Sequence, residues 1–241
     1  MKFLIDTANL NEIKRLYDFA PLSGVTTNPS IIKNEGNIDF YNHINDIRHI
    51  IGSDQELHVQ VVATDYESII KDAEAILNNV DQDVFIKIPV TKDGIKAIRE
   101  LKAQGINITA TAIYTKFQAY LAIAADVDYI APYYNRMENL NINPIETISA
   151  IAQLIKQSDS STKILAASFK NVNQVNTAFE IGAQAATMSV DIIEMALSMP
   201  SIAQAVDVFK EDFEKVYGIG ETVSTVCSLT GTPKVSKIPV P

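Results

Sequence analysis

Cysteine is almost absent: Cys227 stands alone in 241 residues, so no internal disulfide can staple the chain. Histidine is nearly as scarce, and His43, His49 and His58 lack the compact spacing of metal ligands, which argues against a structural zinc or a metal-dependent mechanism. Positive charge is in deficit too, with 20 Lys and Arg against 29 Asp and Glu and a formal charge of −9. Such a surface disfavours nucleic acid and anionic membranes as partners. An anionic ligand must then be held by a few local cations and backbone amides. No apolar run reaches the roughly 20 residues that span a bilayer. The opening "MKFLIDTAN" meets Asp6 too early for a signal-peptide core, and a cytoplasmic protein is expected. Neither a G-x-G-x-x-G fingerprint nor a P-loop is present, which leaves a nucleotide-binding fold unsupported.

What the chain does have is alternation. Eight short β-branched or apolar runs are separated by segments whose apolar residues recur three or four apart. The runs are "KFLIDT", "SGVTTN", "LHVQVVAT", "VFIKIPVT", "INITATAI", "DYIAPY", "KILAASF" and "AATMSV". Segments such as "YESIIKDAEAILNNV" and "KDGIKAIRELKAQG" read as helices, with Gly105 where a helix C-terminal glycine belongs. Eight strands alternating with eight helices predict an α/β fold, a single (β/α)₈ TIM barrel with its site at the C-terminal ends of the strands. A doubly wound open sheet is the alternative. A further helix is predicted at about 201–217, with Val206, Phe209, Phe213, Val216 and Tyr217 along one stripe; it packs either on its own barrel or on a neighbouring subunit. Residues 1–218 are expected to form the barrel with this helix. Residues 219–241 read as a polar, mobile tail.

Side chains alternate between the faces of a strand. In "VFIKIPVT", Ile86 and Ile88 suit the helix-facing layer, which turns Phe85, Lys87 and Pro89 inward. The same parity turns Leu4 and Asp6 inward on the first strand, His58, Gln60 and Val62 together on the third, Thr109 and Thr111 on the fifth, and Ala166 and Ser168 on the seventh. Asp6, Gln60, Lys87, Thr111 and Ser168 thus converge on one space. Lysine is almost never fully buried without a partner, and burial disfavours its ammonium form, leaving an amine that can attack a carbonyl. Lys87 is therefore either a nucleophile or half of an ion pair with Asp6. In "TTNPS", Thr26, Thr27 and Asn28 can bind substrate hydroxyls, or the stretch is a turn in which Ser30 caps the next helix. In "APYYNRMENLN" and "ASFKN", Arg136 and Lys170 are candidate phosphate ligands, with an exposed, solvated cation as the alternative for Lys170.

"FLIDTAN", "GVTTNPSII", "VQVVAT", "FIKIPVT", "TATAIY", "YIAPYYNRM" and "ILAASFKN", in this order and spacing, resemble the transaldolase family, specifically the small-subunit branch that includes fructose-6-phosphate aldolase. The resemblance runs from residue 1 to about 217. It implies a barrel whose Schiff-base lysine is Lys87, with Asp6 as acid and base, Asn28 and Thr26 at the donor end of a sugar phosphate, and Ser168, Arg136 and Lys170 at its phosphate. Transaldolases proper carry a glutamate and a phenylalanine where this chain has Gln60 and Tyr133. The aldolase branch matches instead, with the glutamine, Thr111 and the tyrosine holding the water that moves protons. The resemblance thus implies reversible cleavage of fructose 6-phosphate to dihydroxyacetone and glyceraldehyde 3-phosphate, without metal or organic cofactor. Transfer of the dihydroxyacetone unit from sedoheptulose 7-phosphate to glyceraldehyde 3-phosphate, in the pentose phosphate pathway, is the alternative. It further implies a homodecamer of two pentamers. A barrel isomerase using Asp6 as base and a non-catalytic sugar-phosphate binder are the readings outside this family, and neither accounts for an inward Lys87.

Overall fold

The computed structural model describes residues 1–226. In chain order the elements are β1 (Lys2–Asp6), α1 (Leu10–Tyr17), β2 (Gly24–Thr26), α2 (Pro29–Asn34), α3 (Phe40–Ile51), β3 (Glu56–Gln60), α4 (Tyr66–Asn79), β4 (Phe85–Pro89), α5 (Lys92–Ala103) and β5 (Ile108–Ile113). They continue with α6 (Lys116–Ala124), β6 (Tyr129–Pro132), α7 (Tyr134–Asn139), α8 (Pro144–Gln157), β7 (Lys163–Ala166), α9 (Val172–Glu180), β8 (Ala185–Met188), α10 (Val190–Leu197) and α11 (Pro200–Tyr217). Seven of the eight strands fall within the runs read from the sequence, and β3 begins one residue earlier, at Glu56.

The strands are parallel and follow one another around a closed barrel, with β8 returning to pair β1 through Lys2↔Ala185 and Ile5↔Met188. Closure decides for the barrel over the open sheet. It also explains the composition of the strands, since parallel strands covered on the outside by helices are apolar on both faces. Ile5, Val59, Ile86, Ile88 and Ile164 point outward into the helix layer, and each buried aliphatic side chain contributes about 1.5–3 kcal/mol. Inside, the lower barrel is filled by Leu4, Phe85, Tyr129, Leu165 and Ala185. At Gly24 any larger residue is excluded, because a Cβ would lie 2.2 Å from the Glu56 carbonyl oxygen on β3.

Local signals set the helix ends. Thr91 caps α5 through the Gly94 N–H, and the helix stops where Gly105 takes φ +79°. There the Ile106 N–H reaches back to the Leu101 carbonyl, as in a Schellman ending. The parity reading holds on β1 and β4 but fails on β7. Leu165 belongs to the interior cluster and Ala166 to the outer one, so Ala166 does not face inward as expected. Two residues later Ser168 returns to the interior because its backbone is left-handed, φ 63°, which breaks the alternation.

The chain divides into two compact units, Met1–Glu194 and Met195–Pro241. The first holds the barrel. In the second, α11 (Pro200–Tyr217) agrees with the helix expected at about 201–217; Val206, Phe209, Val216 and Tyr217 are exposed on it. Of the stretch expected as a tail, residues 227–241 lie outside the described residues. Among the described residues no single helix is long and apolar enough to cross a membrane.

Candidate active site

The C-terminal ends of the strands open on a cavity of about 70 Å³ lined by Asp6, Asn28, Lys87, Tyr133, Arg136, Ser168 and Thr187, with Ala131, Leu165 and Ala167 between them. Lys87 comes from the middle of β4 and is 5% exposed. Its Nζ donates to the main-chain carbonyl of Thr27 at 2.8 Å. A neutral carbonyl is weak compensation for a buried ammonium. Burial pushes the Lys87 pKa down, the nearby Asp6 carboxylate opposes the shift, and the Arg136 guanidinium adds to it. No hydrogen bond or ion pair joins Lys87 to Asp6. Asp6 Oδ1 instead accepts from the Thr26 hydroxyl at 2.6 Å, and Thr26 shares a second bond of 2.7 Å with the Thr187 hydroxyl. The ion-pair reading of Lys87 is therefore absent from this arrangement, and the amine and the carboxylate stand as separate groups around one cavity.

Asn28 ends the β2 loop and caps α2: its Oδ1 accepts from the N–H groups of Ser30 and Ile31, both at 3.0 Å. The cap is thus Asn28 and not Ser30, because Pro29 occupies the first helical position and fits there without an N–H. With its oxygen committed to the helix, Asn28 turns only amide donors to the cavity. Thr26 is fully buried behind Asp6 and does not line the cavity.

On the opposite wall the Tyr133 hydroxyl lies 2.9 Å from that of Thr111. Thr111 is fully buried and supports the phenol from behind. Burial pushes the Tyr133 phenol up, against the Thr111 hydrogen bond and the Arg136 charge, so it keeps its proton at neutral pH. The Arg136 guanidinium lies over the Tyr133 ring, 4.7 Å from its centroid, with the Tyr114 hydroxyl 3.5 Å from Nη1. Arg136 and Ser168 sit on the same rim.

Two expected residues stand apart. Lys170 is exposed and lies outside the cavity lining. Gln60, the register partner of Lys87 on β3, lines a neighbouring cavity of about 290 Å³ behind Thr27 and Asn28, and its Oε1 is buried without a hydrogen-bond partner. Two groups escaped the sequence reading. Thr187 was legible, since it lies two positions after the inward Ala185. The Thr27 carbonyl was not, because a main-chain acceptor leaves no mark in side-chain pattern.

The arrangement sets a desolvated amine, a carboxylate, a phenol and a guanidinium around one small space. A neutral amine beside a proton donor and acceptor can form and hydrolyse an imine with a carbonyl. Against known proteins, the family described as Transaldolase/Fructose-6-phosphate aldolase matches residues 3–228. A protein of Streptococcus pneumoniae named probable fructose-6-phosphate aldolase is 53% identical over 213 residues, 88% of this chain and 96% of that protein. Proteins named probable transaldolase from Cytophaga hutchinsonii and Syntrophobacter fumaroxidans are 34% and 36% identical, each over 90% of this chain and over 100% and 98% of their own length.

Proposed function

The chain belongs to the transaldolase/fructose-6-phosphate aldolase family, and from that premise we propose that it is a Schiff-base aldolase that reversibly cleaves fructose 6-phosphate to dihydroxyacetone and glyceraldehyde 3-phosphate. The observation that carries this reading is Lys87: an amine buried on a barrel strand, whose one hydrogen-bond acceptor is a neutral carbonyl.

The neutral Lys87 amine attacks the C2 ketone. The carbinolamine takes up a proton, expels its oxygen as water and becomes a protonated imine. Removal of the C4 hydroxyl proton by Asp6, or by Tyr133 through a water, lets the C3–C4 bond break. Its electrons move into the imine to give an enamine on Lys87, and the new aldehyde leaves as glyceraldehyde 3-phosphate. Protonation of the enamine carbon and addition of water then free dihydroxyacetone and regenerate the amine. Thr26 serves by orienting Asp6, Thr111 by orienting Tyr133, and Asn28 by donating to donor-end hydroxyls. Gln60 offers its unpartnered oxygen to the water that moves protons. Arg136 and Ser168 receive the phosphate, and Lys170 adds positive charge further out. Arg136 suits that role because a planar guanidinium matches phosphate oxygens two at a time.

Transaldolase activity is the second reading, favoured by the names of two relatives. Gln60 and Tyr133 support the aldolase: an amide removes one ionisable acceptor, and a phenol supplies a proton donor that a phenylalanine lacks. We further propose that the enzyme works in the cytoplasm as a homo-oligomer of two pentamers, a reading supported by the acidic composition and by the exposed apolar stripe of α11.

Incubation with fructose 6-phosphate followed by borohydride is expected to leave a reduced three-carbon adduct on Lys87, located by mass spectrometry. Dihydroxyacetone is expected to be released without an added acceptor. Dependence of turnover on erythrose 4-phosphate would instead establish the transferase.

A further inference from the structure

Directly beneath the cavity lies a histidine that the mechanism above does not use. His58 on β3 is fully buried inside the barrel, with its ring stacked on Phe85 at 4.6 Å and 13° and the edge of Tyr129 at 5.5 Å. Phe85 precedes Lys87 by two residues on the inward face of β4, so His58 and Phe85 form the layer on which Lys87 stands. The ring is hydrogen-bonded on one side and faces a carboxylate on the other. Nδ1 lies 2.8 Å from the Thr109 hydroxyl, and Nε2 lies 3.5 Å from Glu56 Oε2. A neutral ring that keeps its proton on Nε2, toward the carboxylate, accepts the Thr109 hydroxyl proton on Nδ1.

Thr109 matters because it is the register partner of Lys87 on β5. Both residues point into the barrel, and a hydroxyl turned toward an ammonium stabilises the charged form. In this structure that hydroxyl is turned to His58 instead. The main chain of His58 acts in the same region: its carbonyl accepts from the Thr27 N–H at 2.9 Å and from the Thr27 hydroxyl at 3.2 Å. Thr27 is the residue whose carbonyl receives Lys87.

We propose that His58 is a positioning residue for Lys87: its imidazole holds the Thr109 hydroxyl away from the amine, so that Lys87 keeps a single neutral acceptor and reacts as a free base. The inference rests on the Schiff-base reading. The charged and titratable groups around Lys87 are Asp6 from β1, Arg136 from α7, Tyr133 at the end of β6 and His58 itself. Those around His58 are Glu56, Lys2, Lys87 and Tyr129.

The test is the pH profile of borohydride-trapped imine on Lys87 in the full-length protein. His58→Phe keeps a flat ring over Phe85 and keeps the main-chain bonds to Thr27 but releases Thr109. The half-maximal pH for trapping is expected to rise by about half a unit or more, an approximately threefold loss on the acid limb. His58→Asn, whose Oδ1 takes the position of Nδ1, is expected to keep the wild-type profile. Thr109→Val combined with His58→Phe is expected to restore it, since no hydroxyl is left to reach the amine. If phenylalanine prevents folding, His58→Met, which also lacks an acceptor at that position, takes its place. A profile that does not move in the Phe or Met variant overturns the inference, and so does a shift that persists in the double variant or one produced by Thr109→Val alone. Absence of any adduct on Lys87 in the wild type is a different failure and overturns the Schiff-base reading itself.

Discussion

The two ends of the barrel interior each hold an ionisable group, and they treat it in opposite ways. At the base, Glu56 is surrounded by partners: the Lys2 ammonium, the Tyr129 hydroxyl at 3.0 Å and the His58 ring. Burial alone would raise the Glu56 pKa, but His58 and Lys2 outweigh it and hold the carboxyl at about 2. At the top, Lys87 is buried more deeply than Glu56 and receives one carbonyl, and burial wins. A compensated charge is a structural element, whereas an uncompensated one is a stored cost that a reaction can use.

Removing each charge should separate the two ends. The largest effect is expected for Lys87→Met, which should lower aldol cleavage by about 10⁴-fold or more. It should also stabilise the fold by about 1 kcal/mol at neutral pH in thermal unfolding. The sign follows from linkage. The folded pKa of Lys87 lies below its unfolded value, so below the unfolded pKa the lysine costs stability, and this cost disappears as pH rises above that pKa. A destabilised Lys87→Met would break the contrast. Asp6→Asn, which keeps the Thr26 bond but loses the base, should lower turnover by about 10²–10³-fold with little change in stability, read from kcat and a melting curve together.

Glu56→Gln at the opposite end should leave imine trapping intact and cost roughly 1–2 kcal/mol, less than a fully buried pair because Lys2 is partly exposed. Here the sign reverses. A carboxyl lowered from 4.5 to about 2 supplies stability that is present above its unfolded pKa and lost as pH falls through about 2. Denaturant midpoints between pH 5 and pH 2 should therefore fall more steeply in the wild type than in Glu56→Gln. The smallest effect is expected for Tyr133→Phe: removal of the hydroxyl that meets Thr111 should reduce release of free dihydroxyacetone by about tenfold while sparing the adduct on Lys87. Product analysis with and without an acceptor aldehyde would reveal it.

Much of this contrast was visible in residue order. "VFIKIPVT" set Ile86 and Ile88 outward and Lys87 inward by alternation alone, and "KFLIDT" did the same for Asp6. Alternation failed where the backbone left the strand. Ser168 reaches the cavity through a left-handed φ, and Ala166 points the other way. Gln60 obeyed its parity, yet its side chain lines the adjoining cavity. Pattern orders the faces of a strand but does not say how far a long side chain leans. Asn28 was legible as a site residue but not as a helix cap, because "NPS" offers two capping side chains and Pro29 decides between them.

By itself the sequence determined the eight strands, their alternation with helices and the identity of the buried lysine, because periodicity and the cost of burying a charge are local properties of the chain. Closure of the strands into a barrel was decided by the pairing of β8 with β1. Tertiary structure decided what that lysine meets. The Thr27 carbonyl comes from a loop 60 residues earlier, and the Asp6–Thr26–Thr187 chain joins three strands, with Thr187 lying 161 residues beyond Thr26. Only barrel closure brings β8 beside β1 and so completes that chain. Whether a buried amine is tied into an ion pair or left free depends on groups that distant, and no local pattern records them.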